Sequence, residues 1–378
     1  MANERHAEIV GGGFAGLAAA CALAQRGWRV RVHERSSVLR TAGAGIYIYE
    51  NGLRVLEALG AYADAVAGAN IAHTREVRDD RNHVLSMHRW DTGRSRVYSI
   101  VRQTVINALA AAATRAGAEI VTGSAAQAAT SDGELVLADG TRLRADLIVA
   151  ADGVNSLVRD SLGLVRSRRR LPDGATRLLI GQHAGEPPLA PPGVTVEYWS
   201  GSRRILFTPC SETEIYIALT MLDRDEPAKR VPVDKAEWTR SFPHLAGLIA
   251  RFGEDGRYDP FELIKLKRWS AGRVAVLGDA AHAQPPNIGQ GAGCGMMNGL
   301  ALAVHLERDD VAHALNVWEE RERPMTEHTQ RVSYLLGVPT SWPPFFRNLA
   351  LGLAGRSQWI VNQRIKTALH VPTGTTAR

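Results

Sequence analysis

Cysteine is scarce in this chain of 378 residues: there are three, Cys21, Cys210 and Cys294, all far apart. They show no C-x-x-C and no metal-like spacing, which excludes a disulfide framework and fits a reducing cytoplasm. Histidines 6, 73, 83, 88 and 313 are scattered, so no ligand cluster suggests a bound metal. No apolar run reaches the ~18 residues of a membrane helix. The stretch 345–354 is too short, and it holds Arg347 and Asn348. Internal repeats are absent, which excludes a solenoid. The net charge is +6 and mostly spread out. Arg166 with Arg168, Arg169 and Arg170 is the only dense basic run; it reads as a solvated loop, the alternatives being attraction of an anionic substrate or of NAD(P)H phosphates. No nucleic-acid motif accompanies it, so nucleic-acid binding is rejected. At 45% hydrophobic and 22% charged, the rest is an ordinary soluble composition, long enough for two interlocked domains.

What is present begins with glycine. Residues 7–10 read as a short strand that Glu8 dilutes. Gly11, Gly13 and Gly16 follow as G-x-G-x-x-G, with Phe14 and Ala15 between them. Residues 17–25 are rich in Ala and Leu and read as a helix ending near Gly27. Residues 28–33 alternate and read as the next strand, with Glu34 at its end. This is the element order of a dinucleotide-binding βαβ unit. Gly11 permits the tight turn, Gly13 lets backbone approach a pyrophosphate, and Gly16 lets helix and strand pack closely. The helix N-terminus offers free N–H groups to phosphates. Glu34 can accept hydrogen bonds from a ribose diol and disfavours a 2′-phosphate, so FAD or NAD fits better than NADP. A Gly-rich turn without a ligand is the bland alternative, and the surrounding context argues against it.

Further signals lie downstream. Residues 40–46, from Arg40 through Gly45, form a second Gly-rich stretch. Asn51 reads as the N-cap of a helix over 53–59, and Arg102 precedes a helix over 105–114. A buried-looking strand over 146–151 runs into Asp152, Gly153, Ser156 and Arg159, spaced as D-G-x-x-S-x-x-R. An apolar strand over 274–277 runs into Gly278 and Asp279, then Pro286, Gly289, Gly291, Ala292 and Gly293, and then a helix of small residues.

These three motifs in this order resemble the single-component FAD-dependent aromatic hydroxylases of the para-hydroxybenzoate hydroxylase type, over about residues 5–335. Stretches 11–17, 39–47, 51–56, 204–210, 214–219 and 290–296 are most similar to the 2-methyl-3-hydroxypyridine-5-carboxylate oxygenase type. The resemblance implies an α/β fold: a Rossmann-like FAD-binding domain with an inserted antiparallel β-sheet substrate domain and C-terminal helices. The expected division is 1–164 and 271–335 for the FAD domain, 165–270 for the substrate sheet and 336–378 for the C-terminal helices. It implies that Gly11, Gly13, Phe14, Ala15, Gly16, Glu34 and Arg35 hold the ADP half of FAD. Arg40, Gly45, Arg102, Asp152 and Asp279 would hold the remainder, with Arg159 beside Asp152. Backbone N–H groups at Gly289, Gly291, Ala292 and Gly293 would stabilise charge on the flavin pyrimidine, beside Pro286.

The implied reaction uses NAD(P)H and O2 to oxygenate, and in some relatives to open, a small hydroxylated pyridine or aromatic carboxylate through a flavin hydroperoxide. Arg204 is the candidate for pairing a substrate carboxylate, with Tyr47 and Tyr216 orienting the ring. Arg203 points to the opposite strand face, so only one of the two arginines enters the pocket. Arg75 stands where the relatives offer a tyrosine. No second G-x-G-x-x-G exists, so the nicotinamide is expected to bind transiently. Residues 195–199, 204–208 and 214–220 read as strands of the substrate sheet, and 312–335 as a long charged helix. Strands near 119–122 and 133–138, with a turn at Asp139 and Gly140, suggest an inserted hairpin. A homodimer is one option for assembly. The alternatives are a phenolic or secondary-metabolite tailoring hydroxylase and, from another class, a non-catalytic flavin-fold binding protein.

Overall fold

The computed structural model describes residues 5–39, 44–91, 93, 95–182, 192–307 and 310–376. Arg40, and the prolines at 187, 188 and 191, lie outside the described residues.

The first unit is a six-stranded sheet. Its order is Ser270–Ala271, Val274–Val276, Leu147–Ala150, His6–Val10, Arg29–Glu34 and Glu119–Thr122. All neighbours pair in parallel except the first two strands. The chain thus leaves this sheet after residue 150 and returns to it at 270. The helix Phe14–Ala24 is buried at every position, as a helix sandwiched between two layers must be. It begins at Phe14, three residues before the Ala/Leu-rich stretch suggested. The helix Gly291–His305 packs against it through small residues. A Cβ on Gly299 would lie 3.0 Å from the backbone of Ala15 and Ala19, so the contact depends on the missing side chain.

The second unit is a seven-stranded sheet: Arg257–Leu266, Val165–Gly181, Glu214–Leu222, Arg203–Pro209, Val194–Ser200, Thr74–Asp79 and Val84–Arg89. It differs from expectation in two ways. Two of its strands come from 74–89, inside the segment assigned to the FAD domain. One of them, Thr74–Asp79, pairs in parallel with Val194–Ser200, so the sheet is not wholly antiparallel. The basic run at 166–170 is part of the strand Val165–Gly181 rather than a loop. The strand Glu119–Thr122 belongs to the parallel sheet, and the hairpin joins Glu134–Leu137 to Arg142–Arg144.

Strand alternation gives the seven-stranded sheet two unlike faces. On one face Val196, Tyr198, Ile205, Phe207, Ile215, Ile217 and Leu219 pack with Trp238, Phe242, Leu248 and Ile249 from the helices Lys235–Ser241 and Ala246–Ala250. The other face carries Arg177, Tyr216, Thr208, Arg204, Glu197 and Arg75. Covering one face with a large apolar core leaves the polar face free for the first unit, and the crevice lies between them. The long helix Val311–Gly337 and the helix Pro344–Arg356 complete the fold.

Candidate active site

The N-terminal glycines serve different purposes. Gly11 has φ +103°, and a Cβ there would sit 2.4 Å from the Ala151 carbonyl oxygen. A Cβ on Gly16 would sit 2.0 Å from the Gly11 oxygen. These two are required by packing. Gly13 is exposed, and a Cβ there would meet nothing within 4 Å. That open spot above a helix N-terminus suits a pyrophosphate. Glu34 ends its strand with the carboxylate accepting from the Gly12 and Ser36 N–H groups, each at 2.9 Å. The acid is thus held at the glycine turn with acceptor capacity left for a ribose diol. Arg35 beside it is exposed.

At the far side of the crevice, Gly278 has φ +64° and its Cβ position faces Ala15 at 2.8 Å. Asp279 follows at the start of a short helix. It is surrounded by protein yet keeps solvent access, as a group on the floor of an open crevice does. Burial raises its carboxyl above the usual range, and Arg102 and Arg177 draw it back. Arg102 is the first residue of the helix Arg102–Arg115, and its guanidinium lies 5.3 Å over the Phe14 ring. Its Nε is buried with no hydrogen-bond partner among the described residues. Arg177 pairs with Asp259 at 3.2 Å. An open glycine, a ribose-competent acid, an uncommitted carboxylate and an orphaned guanidinium N–H together fit FAD.

Other motif residues make contacts within the protein around the same crevice. The Asp152 carboxylate accepts from the Leu157 N–H at 3.1 Å, and Ser156 caps the same helix through the Arg159 N–H at 3.0 Å. Burial raises the Asp152 carboxyl. Fully buried Arg159 donates to the carbonyls of Val154 and Ala280, fixing the turn behind Asp279. Gly45 lies against Tyr216, where a Cβ would come within 2.5 Å of its Cβ. Pro286 is exposed, and its carbonyl accepts from the Gly289 N–H at 3.0 Å. This turn leads to Gly291, Ala292 and Gly293 at the N-terminus of the helix Gly291–His305. Asn51 is not an N-cap. The helix starts at Glu50, and buried Asn51 donates to Gln290 Oε1 at 3.0 Å, tying that helix to the same turn.

The polar sheet face meets this turn. Tyr47 lies beside Gly289, and its hydroxyl contacts Thr208 Oγ1. Burial pushes its phenol well above the ordinary range, so it remains a neutral O–H. Arg204 enters the site, whereas Arg203 turns away to Asp225 and Glu237. Arg204 is not alone. It approaches Asp173 at 3.5 Å, Glu197 at 3.4 Å and Asn287 Oδ1 at 3.2 Å. Arg75 pairs with the other Glu197 oxygen at 2.6 Å. Burial alone would raise the Glu197 carboxyl, but the two arginines hold it below its usual value. Asp173, Glu197, Asn287 and Arg177 were not foreseen as site residues. The one available signal was a charged Glu197 inside an otherwise apolar strand.

The three thiols are buried and free. Burial pushes Cys210 and Cys294 up to about 12 and Cys21 to about 11. The native protein should therefore show no thiol fast-reacting with a disulfide reagent at pH 8, and three after denaturation. A reactive Cys294 would instead point to a redox role beside the Gly293 turn.

Residues 5–316 match the family model described as FAD binding domain. The chain is 46% identical over 367 residues to a 2-heptyl-3-hydroxy-4(1H)-quinolone synthase of Mycobacteroides abscessus, covering 94% of this chain and 96% of that one. It is 26% identical over 362 residues to 6-hydroxynicotinate 3-monooxygenase of Bordetella bronchiseptica, covering 88% and 92%. Its fold superposes on a tetrameric form of 2-methyl-3-hydroxypyridine-5-carboxylic acid oxygenase with a TM-score of 0.87, at 37% identity, covering 99% and 100%. Crevice, motifs and relatives agree: the chain belongs to the FAD-binding-domain family and is an FAD-dependent aromatic monooxygenase.

Proposed function

We propose that the substrate is a neutral 4(1H)-quinolone with an alkyl group at C2, oxygenated at C3. The observation that carries this reading is charge closure. Arg75 and Arg204 face Glu197 and Asp173, and Arg102 and Arg177 face Asp279 and Asp259. The Arg75 and Arg204 guanidiniums beside the ring site thus already have two carboxylates. A substrate carboxylate would have to displace one of them in a low-dielectric pocket, at a cost of several kcal/mol. A neutral ring needs no such exchange. The relative at 46% identity is named for the 3-hydroxy product of that ring, whereas the relative at 37% is named for a pyridine carboxylate.

FAD, held through Gly13, Glu34, Arg102, Asp279 and the turn at 289–293, supplies O2 activation with electrons from NAD(P)H. Atoms balance as quinolone, O2, NAD(P)H and a proton giving 3-hydroxyquinolone, NAD(P)+ and water. The protein's part is to orient the ring and exclude water. The neutral Tyr47 hydroxyl can donate to the ring carbonyl, while Tyr216 and Pro286 border the ring. The ring nitrogen pushes electrons to C3 by itself, which fits a site with no evident general base. The free buried thiols are consistent with a cytoplasmic setting.

The test is oxidation of NADH and NADPH by the FAD-loaded enzyme with 2-heptyl-4(1H)-quinolone or with 2-methyl-3-hydroxypyridine-5-carboxylate. The quinolone should stimulate oxidation by at least ~10-fold and give a product one oxygen heavier, with little response to the carboxylate. Turnover of the carboxylate alone would refute the neutral-ring reading.

A further inference from the structure

All 39 acidic residues of the chain lie before position 328. The remaining segment holds Arg331, Arg347, Arg356, Arg364, Lys366 and Arg378. Arg331, Arg356 and Lys366 are exposed and enter no ion pair among the described residues. Arg347 is different. It is buried, donates to the Gly201 carbonyl and lies near Asp80, so it belongs to the fold rather than to the surface.

The same segment exposes large apolar side chains. Trp342, Phe345, Phe346, Leu349, Leu353 and Trp359 are between 42% and 72% exposed. Phe345, Leu349 and Leu353 recur every four residues along the helix Pro344–Arg356, with Trp342 and Phe346 beside them. This makes a continuous ridge instead of the scattered apolar residues of an ordinary surface. The opposite side of the helix packs on the edge strand Val84–Arg89, where Gly355 lies over Ser86.

The segment also roofs the candidate pocket. The Arg347 guanidinium lies 5.3 Å from the Trp199 ring centroid, and Arg204 lies 4.8 Å from the same ring. Asn287, which contacts Arg204, donates to the Ser333 carbonyl at 2.9 Å near the end of the long helix. The apolar ridge is therefore the outer surface of a wall whose inner surface faces the ring site.

We propose that this face docks on an anionic membrane surface, with the helix Pro344–Arg356 lying in the plane of the lipid interface. Charge selects this occupant. The helices Pro344–Arg356 and Gln358–Ile365 carry arginines and no acid, and Lys366 follows them, so the ridge is flanked by cations that attract acidic headgroups. Its aromatic and leucine side chains suit the boundary between headgroups and acyl chains. No helix among the described residues is long and apolar enough to cross a membrane, so the contact is peripheral. The inference rests on this surface and not on the quinolone reading. If both hold, an alkyl-bearing neutral ring dissolved in lipid reaches the pocket beside the docked wall.

The experiment is flotation of the FAD-loaded enzyme with vesicles of phosphatidylcholine, or of phosphatidylcholine mixed with phosphatidylglycerol, at low and high salt. Binding should require phosphatidylglycerol and fall at high salt. Phe345→Ser with Phe346→Ser, and separately Arg356→Glu with Lys366→Glu, should each weaken binding by about tenfold while FAD content stays at the wild-type level. Absence of binding to the acidic vesicles overturns the proposal. So does a wild-type oligomer that the Phe pair converts to monomers in light scattering, because the ridge would then be covered by another copy. Neither result bears on which ring is oxidised.

Discussion

Replacing Asp279 with alanine should give a folded protein that purifies nearly colourless. Asp279 makes no hydrogen bond to the protein among the described residues, so the fold does not depend on it for pairing. Its carboxylate lies open on the crevice floor beside Arg102 and Arg177, placed to accept hydrogen bonds from a ligand's hydroxyls. Charge-assisted hydrogen bonds of this kind contribute about 1.5–3 kcal/mol each, so loss of even one should weaken FAD binding roughly 10- to 150-fold. Asp279→Asn should fall between the two, since it keeps an acceptor but loses the charge. Equilibrium dialysis of FAD against the apoprotein reads the effect. Melting of the two apoproteins should agree within a few degrees, which separates lost binding from lost folding. A variant that retains full yellow colour would remove Asp279 from the cofactor site.

That expectation could be written from the sequence alone because motifs before and after the inserted sheet converge on one crevice. Glycines made this possible. At Gly11 and Gly16 the backbone passes too close for any side chain, so the requirement is local and leaves a fixed spacing. Strand alternation was equally legible: the separation of Arg203 from Arg204 follows from period two alone. The partners of Arg204 were hidden for the opposite reason. Asp173 and Glu197 reach it from two other strands, across a register set by the whole sheet. No short window contains that information. Asn51 shows the same limit on a smaller scale. Its residue type suits a helix cap, but the local preference yields to a buried bond with Gln290, distant in sequence. The contribution of 74–89 to the second sheet was also invisible, because these strands read as part of the nucleotide unit until their partners are known.

Glu197→Gln should destabilise the protein and reverse the charge class it accepts. Glu197 lies between Arg75 at 2.6 Å and Arg204 at 3.4 Å, all three poorly exposed. Removing its charge leaves two guanidiniums facing Asp173 alone, and breaking a buried pair in this way costs about 3–5 kcal/mol. The pH dependence has a definite sign. The folded-state value of Glu197 is held below its ordinary 4.5, so its contribution is fully present above that pH and is lost as pH falls through the folded value. The stability gap between wild type and variant, read from urea midpoints, should be full at pH 7 and shrink below about pH 4. At neutral pH the variant pocket carries an uncompensated positive charge. It should bind 2-methyl-3-hydroxypyridine-5-carboxylate at least ~10-fold more tightly than wild type does, with no such gain for a neutral quinolone. A gap that persists unchanged to pH 3 would mean that Glu197 is not the counter-charge. An unchanged affinity for the carboxylate would mean that Arg75 and Arg204 do not select substrate charge.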